Sequence, residues 1–105
     1  MIHVIAIITA VAGQRDRILE AVRDNTAAVR AETGCIEYGA AVDAAEPAPV
    51  WGAFGPDTLL IIEKWENRAT LKAHAASAHM VAYAARVKEL IASRVIHVLE
   101  PAGVA

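Results

Sequence analysis

The sequence predicts an α+β protein with a ferredoxin-like β-α-β-β-α-β order, in which helices cover one face of an antiparallel sheet. Three observations support this prediction: four short apolar segments rich in β-branched residues, helical periodicity between them, and glycine or proline at several boundaries. The chain has 105 residues, about the size of one domain. Residues 1–105 are therefore expected to form a single domain.

The first half of the chain alternates strand, helix and strand. Residues 2–11 (IHVIAIITAV) are apolar and mostly β-branched, which favours a strand that Gly13 ends. From 14 to 32 the apolar residues repeat with helical spacing, and Gly34 is free to adopt the positive φ that terminates a helix. The apolar stripe of this helix consists of Ile18, Val22 and Val29, with Leu19 beside it. Residues 35–42 (CIEYGAAV) form the second predicted strand.

The second half begins with a connecting loop. Residues 43–57 contain three prolines and two glycines, which favour irregular structure. Trp51 and Phe54 lie on this loop, and we expect them to fold back over a pocket mouth or a subunit contact. Residues 58–66 (TLLIIEKWE) have the strongest strand pattern in the sequence, and 94–101 (RVIHVLEP) supply the last strand.

The helical segment between these strands has two apolar stripes that do not align. Leu71 and Met80 are nine residues apart, which is about 900° at 100° per residue and leaves them half a turn out of register. The first stripe contains Leu71, His74 and Ala78, and the second contains Met80, Tyr83, Val87 and Ile91. We therefore predict that the helix over 67–91 breaks near Ser77, a residue type suited to capping a new helix.

Both faces of the predicted sheet are apolar. Strand 2–11 and residues 59–62 carry aliphatic side chains at consecutive positions, whereas a sheet face that meets water should be polar. The chain is also 56% hydrophobic, which is high for its size. A second copy is the simplest cover, so we predict a homodimer with the sheets packed face to face.

Composition and charge argue against several classes of function. The net charge is −2 and the basic residues are scattered, so no nucleic-acid partner is expected. No apolar run approaches the ~18 residues of a membrane span. The glycine-rich fingerprints of nucleotide sites are absent, so no such cofactor is expected. The single cysteine, Cys35, cannot form an intramolecular disulfide, which favours a reducing, cytoplasmic location and a buried structural role for this side chain.

Two histidines five positions apart, His74 and His79, raise the question of a metal site. Histidines that bind one metal from a helix usually stand at i and i+4, and we expect no close cluster of Cys or carboxylate to complete a site around this pair. No metal is therefore expected. His74 follows Leu71 by three residues, so it should share the face that meets the sheet. There it could act as a general base or equally be a satisfied core histidine.

The end of the third strand indicates a ligand site. Trp65 alternates with Glu63 on one face of the strand, and a carboxylate on an apolar face must be partnered or hydrated. A polar group at the edge of an apolar gap is typical of a binding pocket. Tyr83 and Met80 could form its other wall. Ordinary core packing is the alternative for Trp65 and for Met80.

These motifs, "ETGCIEY" followed by "EKWENRATLKAHAASAH", resemble the antibiotic biosynthesis monooxygenase family over nearly the whole chain. The matching positions are Gly34, Cys35, Tyr38, Glu63, Trp65, Leu71, His74, Ser77 and His79. The resemblance implies a dimeric α/β barrel and a monooxygenase that oxidises a quinol or polycyclic phenol with O2, without flavin or metal. The electron-rich substrate, once deprotonated, would itself activate oxygen.

The resemblance also implies roles for single residues. Trp65 and His74 would be catalytic, as a pocket wall and as a base or hydrogen-bond partner, while His79, Tyr38 and Glu63 would orient or line the site. Haem is not expected, because the first strand has no Asn and the helix has no Trp shortly before His74 as haem-degrading relatives do. Two alternatives stay open: a non-enzymatic dimeric ligand-binding or stress-response domain, and an isomerase of a small phosphorylated ketone.

Overall fold

A computed structural model describes residues 1–46 and 50–103, and its elements follow the predicted order. The strands are β1 (Ile2–Ala10), β2 (Cys35–Ala41), β3 (Thr58–Trp65) and β4 (Ile91–Leu99). The helices are α1 (Arg15–Arg30), α2 (Arg68–Ala76) and α3 (Ala78–Val87), and a short 3-10 turn, Lys88–Leu90, precedes β4. Part of the predicted loop, 47–49, lies outside the described residues. Within the described ranges, no helix combines the length and apolarity needed to cross a membrane.

The four strands form one antiparallel sheet in the order β2-β3-β1-β4, which confirms the ferredoxin-like α+β fold. Alternate β1 residues are buried because successive side chains of a strand point to opposite faces and the helices cover only one face. The buried side chains of β1 on the covered face are those of Ile2, Val4, Ala6, Ile8 and Ala10. The opposite face, here called the open sheet face, carries His3, Ile5 and Ile7 of β1 with Leu60, Ile62, Val95, His97 and Leu99 of the paired strands.

Helix α1 supplies the other half of the core. Ile18, Val22 and Val29 are buried, as the helical stripe predicted, Ala21 is buried with them, and Leu19 is partly buried against the same core. Most charged residues of α1 lie on its solvent side, which leaves this helix with one apolar face and one polar face. Arg15 is the exception, since it is half-buried and donates to the Thr58 carbonyl at 3.3 Å.

The predicted helix break is confirmed at Ser77, which separates α2 from α3 with an extended backbone at φ −65° and ψ 151°. The capping role expected of its hydroxyl is wrong. Ser77 Oγ donates to the His74 carbonyl at 2.7 Å and makes no side-chain cap for α3. The hydroxyl therefore closes the end of α2 together with the Ser77 backbone N–H, which donates to the same carbonyl at 3.1 Å.

Two details of the second half differ from the prediction. Ile91 belongs to β4 and not to the helical stripe, because α3 ends at Val87 and a 3-10 turn follows without a glycine or proline to mark it. Trp51 and Phe54 are 63% and 54% exposed in the single chain, so they do not fold back over it, and the alternative of a subunit contact stays a prediction. The Asp43 carboxylate accepts from the backbone N–H groups of Phe54 and Gly55, which fixes the loop through its main chain.

Candidate active site

Four of the predicted site residues meet between the sheet and α2. Glu63 and Trp65 lie on the covered face of β3, and Tyr38 of β2 is paired with Glu63. The Trp65 indole N–H donates to Glu63 Oε1 at 2.8 Å. The His74 ring lies over Trp65 with 4.6 Å between ring centroids, and Tyr38 approaches it edge-on at 5.9 Å. Trp65, Tyr38, Glu63 and His74 are all buried.

A close approach between Gly34 and Thr70 helps to bring α2 to this position. Gly34 has φ +82°, and a Cβ atom there would lie 2.4 Å from Thr70 Cγ2. The Gly34 carbonyl also accepts from the Glu66 N–H at 2.9 Å, and Asn67 and Thr70 form a capping box that starts α2. Glycine is therefore required at position 34 by both its backbone conformation and the nearness of the helix.

Glu32, which the sequence reasoning missed, lies between the two histidines. Its Oε2 is 2.6 Å from His74 Nδ1 and 3.2 Å from His79 Nε2, while His74 Nε2 is 3.6 Å from Glu63 Oε1. The four side chains form a continuous polar row in the order Glu63, His74, Glu32, His79, here called the acid–imidazole row. The one available signal was that Glu32 opens the "ETGCIEY" motif.

The expectation that no carboxylate completes a histidine pair is wrong. Glu32, His74 and His79 offer ligand atoms within 4.8 Å of one another, a set that could hold a metal ion. Glu32 and His74 are 42 positions apart in the sequence, so local spacing did not reveal it. However, their 2.6 Å contact is a direct hydrogen bond. Zinc bound at about 2.0–2.2 Å to tetrahedral ligands needs them roughly 3.4 Å apart, so a metal would have to break this bond.

Exposure falls along the row from His79 through Glu32 to His74. The side chains of His79, Glu32 and His74 are 30%, 15% and 4% exposed, respectively. A cavity of about 200 Å³ lies beside His79, between α1 and α3. It is lined by Ala21, Asp24, Asn25, His79, Ala82, Tyr83 and Arg86. Of the histidines in the row, only His79 lines this cavity.

The two remaining predicted residues lie apart from the buried cluster. Tyr83 is half-buried and shares the cavity lining with His79. Met80 packs against the hydrophobic core, where Asn25 Nδ2 lies 3.3 Å from its Sδ, and it does not line this cavity. The structure therefore brings Tyr83, but not Met80, beside the row.

Burial changes the acidity of the groups around Trp65. Desolvation raises the pKa of Glu63, opposed by the Trp65 hydrogen bond and the His74 ring and reinforced by Glu32. Burial also raises the pKa of Tyr38, with the Glu63 carboxylate as the second cause. The pKa of Tyr83 is raised by burial too. The interior thus favours protonated, uncharged forms of these groups.

Replacing Glu63 with glutamine is expected to remove a pH-dependent loss of stability. The raised pKa means that the folded state holds this proton more tightly, so the stabilisation is fully present below the ordinary value of 4.5 and is lost as pH rises through the folded-state pKa. Glutamine can still accept from Trp65 but has no proton to lose. The free energy of unfolding of wild type minus that of Glu63→Gln should therefore fall as the pH rises above about 4.5.

Urea denaturation at several pH values would measure this difference. Glu20→Gln, on the exposed side of α1, is the matched control for loss of a carboxylate. A difference that rises with pH for Glu63→Gln would contradict the raised pKa.

The sequence and the fold of this chain are both similar to those of known proteins. A family model described as antibiotic biosynthesis monooxygenase matches residues 1–86. The Probable quinol monooxygenase YgiN of Escherichia coli (strain K12) is 37% identical over 105 residues, covering 96% of this chain and 98% of that protein. The structure of Rv0793 from Mycobacterium tuberculosis superposes with a TM-score of 0.79 at 26% identity, covering 99% and 97% of the two chains. PA3566 from Pseudomonas aeruginosa has a TM-score of 0.78 at 25% identity, covering 95% and 92%.

Proposed function

The chain belongs to the antibiotic biosynthesis monooxygenase family, and from this premise we propose that it oxidises a small quinol or related phenol with O2, without a cofactor. The observation that supports this proposal most directly is the buried acid–imidazole row packed against Trp65. The relative named as a quinol monooxygenase aligns over nearly the whole chain, which supports the choice of substrate class.

The chemistry requires little from the protein besides a base, an aromatic wall and exclusion of water. Removing a phenolic proton leaves an electron-rich anion that reduces O2 directly. One oxygen atom enters the ring and the other leaves as water, so the substrate supplies all the electrons. In this proposal Trp65 and His74 are at the centre of the site, with Glu63, Tyr38 and His79 orienting the groups and Tyr83 lining the approach.

We also propose that the protein acts as a homodimer. The open sheet face is predominantly aliphatic, and Ile62, Val95 and Leu99 on it are 36%, 51% and 44% exposed in the single chain. Packing against the same face of a second copy would remove this surface from water, in a two-fold arrangement. The cytoplasmic location expected from the single cysteine is part of the same proposal.

Oxygen uptake by the metal-stripped protein with a panel of naphthohydroquinones and anthrones tests the proposed activity. Uptake above the autoxidation blank is expected for wild type. His74→Ala should lower kcat, because it removes the ring that packs on Trp65 and lies between the Glu63 and Glu32 carboxylates. Trp65→Phe should have a smaller effect because it retains an aromatic wall. Lys72→Ala, on the exposed side of α2, is the matched control, and circular dichroism checks that each variant folds.

Absence of uptake over the whole panel would contradict the proposal and favour a ligand-binding domain or an isomerase. The isomerase needs a cationic clamp for a phosphate. Two of the cations near the site are already engaged, since Lys64 pairs with Glu37 at 3.1 Å and Arg68 pairs with Glu100 at 2.9 Å. These ion pairs make the isomerase the weaker alternative.

A further inference from the structure

The residue in the acid–imidazole row that can meet a ligand is His79. His74 is almost completely buried, and both of its ring nitrogens face carboxylates, Glu32 at Nδ1 and Glu63 at Nε2. His79 is the most exposed member of the row and lines the cavity between α1 and α3. A substrate in this cavity would therefore contact His79 before any other imidazole.

Hydrogen bonding fixes which nitrogen of His79 carries the proton. Ser77 Oγ lies 3.3 Å from His79 Nε2 and donates its single hydrogen to the His74 carbonyl at 2.7 Å. Because that hydrogen is committed, the Ser77 oxygen can only accept, so His79 Nε2 must be the donor. Among the described residues none hydrogen-bonds His79 Nδ1, so in the neutral ring this nitrogen has the free lone pair that can accept a proton.

Glu32 complements this arrangement. Its carboxylate is 3.2 Å from His79 Nε2, so it would stabilise the imidazolium that forms when Nδ1 takes a proton. The other ionisable groups around His79 are Asp24, Arg86 and Tyr83 in the cavity lining, and His74 across Glu32. Asp24 is paired with Arg86 at 2.9 Å, and the carboxylate in direct contact with the His79 imidazole is that of Glu32, at 3.2 Å.

We propose that His79 is the catalytic base for a phenol of one or two rings bound in this cavity, and that Glu32 is its positioning residue. This inference rests on the proposed function for its substrate class. In the step, the phenolic O–H bond breaks, the proton goes to His79 Nδ1, and the electron pair stays on the oxygen. A cavity of about 150 Å³ admits benzene, so the roughly 200 Å³ available here suits a ligand of this size.

Binding of 4-nitrophenol, which absorbs visible light only as the phenolate, tests the proposal without oxygen turnover. The titration is made anaerobically at a pH where the free probe is mostly protonated. Wild type is expected to bind it as the phenolate. His79→Gln should bind with a dissociation constant within about threefold but lose at least nine-tenths of the phenolate signal. Glu32→Gln should lose most of this signal and Glu32→Asp should recover part of it, whereas Glu20→Gln should match wild type.

The outcomes separate this inference from the proposed function. A phenolate signal that persists in His79→Gln, or a failure of the wild type to bind the probe, would overturn the assignment of His79. If His74→Gln folds, it should retain the phenolate signal. If instead His74→Gln loses the phenolate signal and His79→Gln retains it, His74 is the base. A protein that ionises the probe through His79 but consumes no oxygen would uphold this inference and contradict the monooxygenase proposal.

Discussion

Replacing Trp65 with alanine is expected to lower the free energy of unfolding by about 3–5 kcal/mol, the range measured for large buried aromatics. The Trp65 side chain is 0% exposed, it packs against His74, and its indole N–H donates to Glu63. Alanine would leave a cavity and remove a hydrogen bond from a buried carboxylate. Trp65→Phe fills most of the space but cannot donate the hydrogen bond, so it should lower the free energy of unfolding by less.

Urea denaturation followed by circular dichroism would measure this effect, and the second tryptophan offers a matched control. Trp51 is 63% exposed, so Trp51→Ala should change the free energy of unfolding by no more than about 0.5 kcal/mol. If Trp65→Ala cost less than about 1 kcal/mol, the packing of α2 onto β3 around this ring would be contradicted.

Replacing Ile62 with lysine is expected to dissociate the proposed dimer. Ile62 lies on the open sheet face, paired with Ile5 of the central strand β1. In a two-fold interface one substitution places a charge in both copies, and a buried charge without a partner is costly. We expect the dimer dissociation constant to rise by about 30-fold or more, equivalent to roughly 2 kcal/mol at a central interface position.

Sedimentation velocity over a range of protein concentrations would measure the association. Val81→Lys is the matched control because Val81 is 62% exposed on α3, away from the open sheet face. A wild-type protein that stays monomeric at about 100 μM, or an Ile62→Lys protein that dimerises as wild type does, would contradict the proposed interface.

Local periodicity in the sequence was sufficient to predict the order of elements and part of the site. The phase of Leu71 against Met80 located the break at Ser77, since about 100° per residue holds along any continuous helix. The two-residue period of a strand placed Glu63 and Trp65 on the same face. Helical spacing from Leu71 likewise predicted that His74 faces the sheet.

Only the tertiary structure showed how the site is connected. Glu32 lies against His74 because the turn between α1 and β2 passes beside α2, with Gly34 of this turn close to Thr70. This contact joins residues 42 positions apart, so no local pattern contains it. The same packing buries His74 and leaves His79 beside the cavity, which decides which imidazole a ligand can reach. Spacing tells which face of its own element a side chain occupies, but its partners and exposure depend on distant segments that pack against that face.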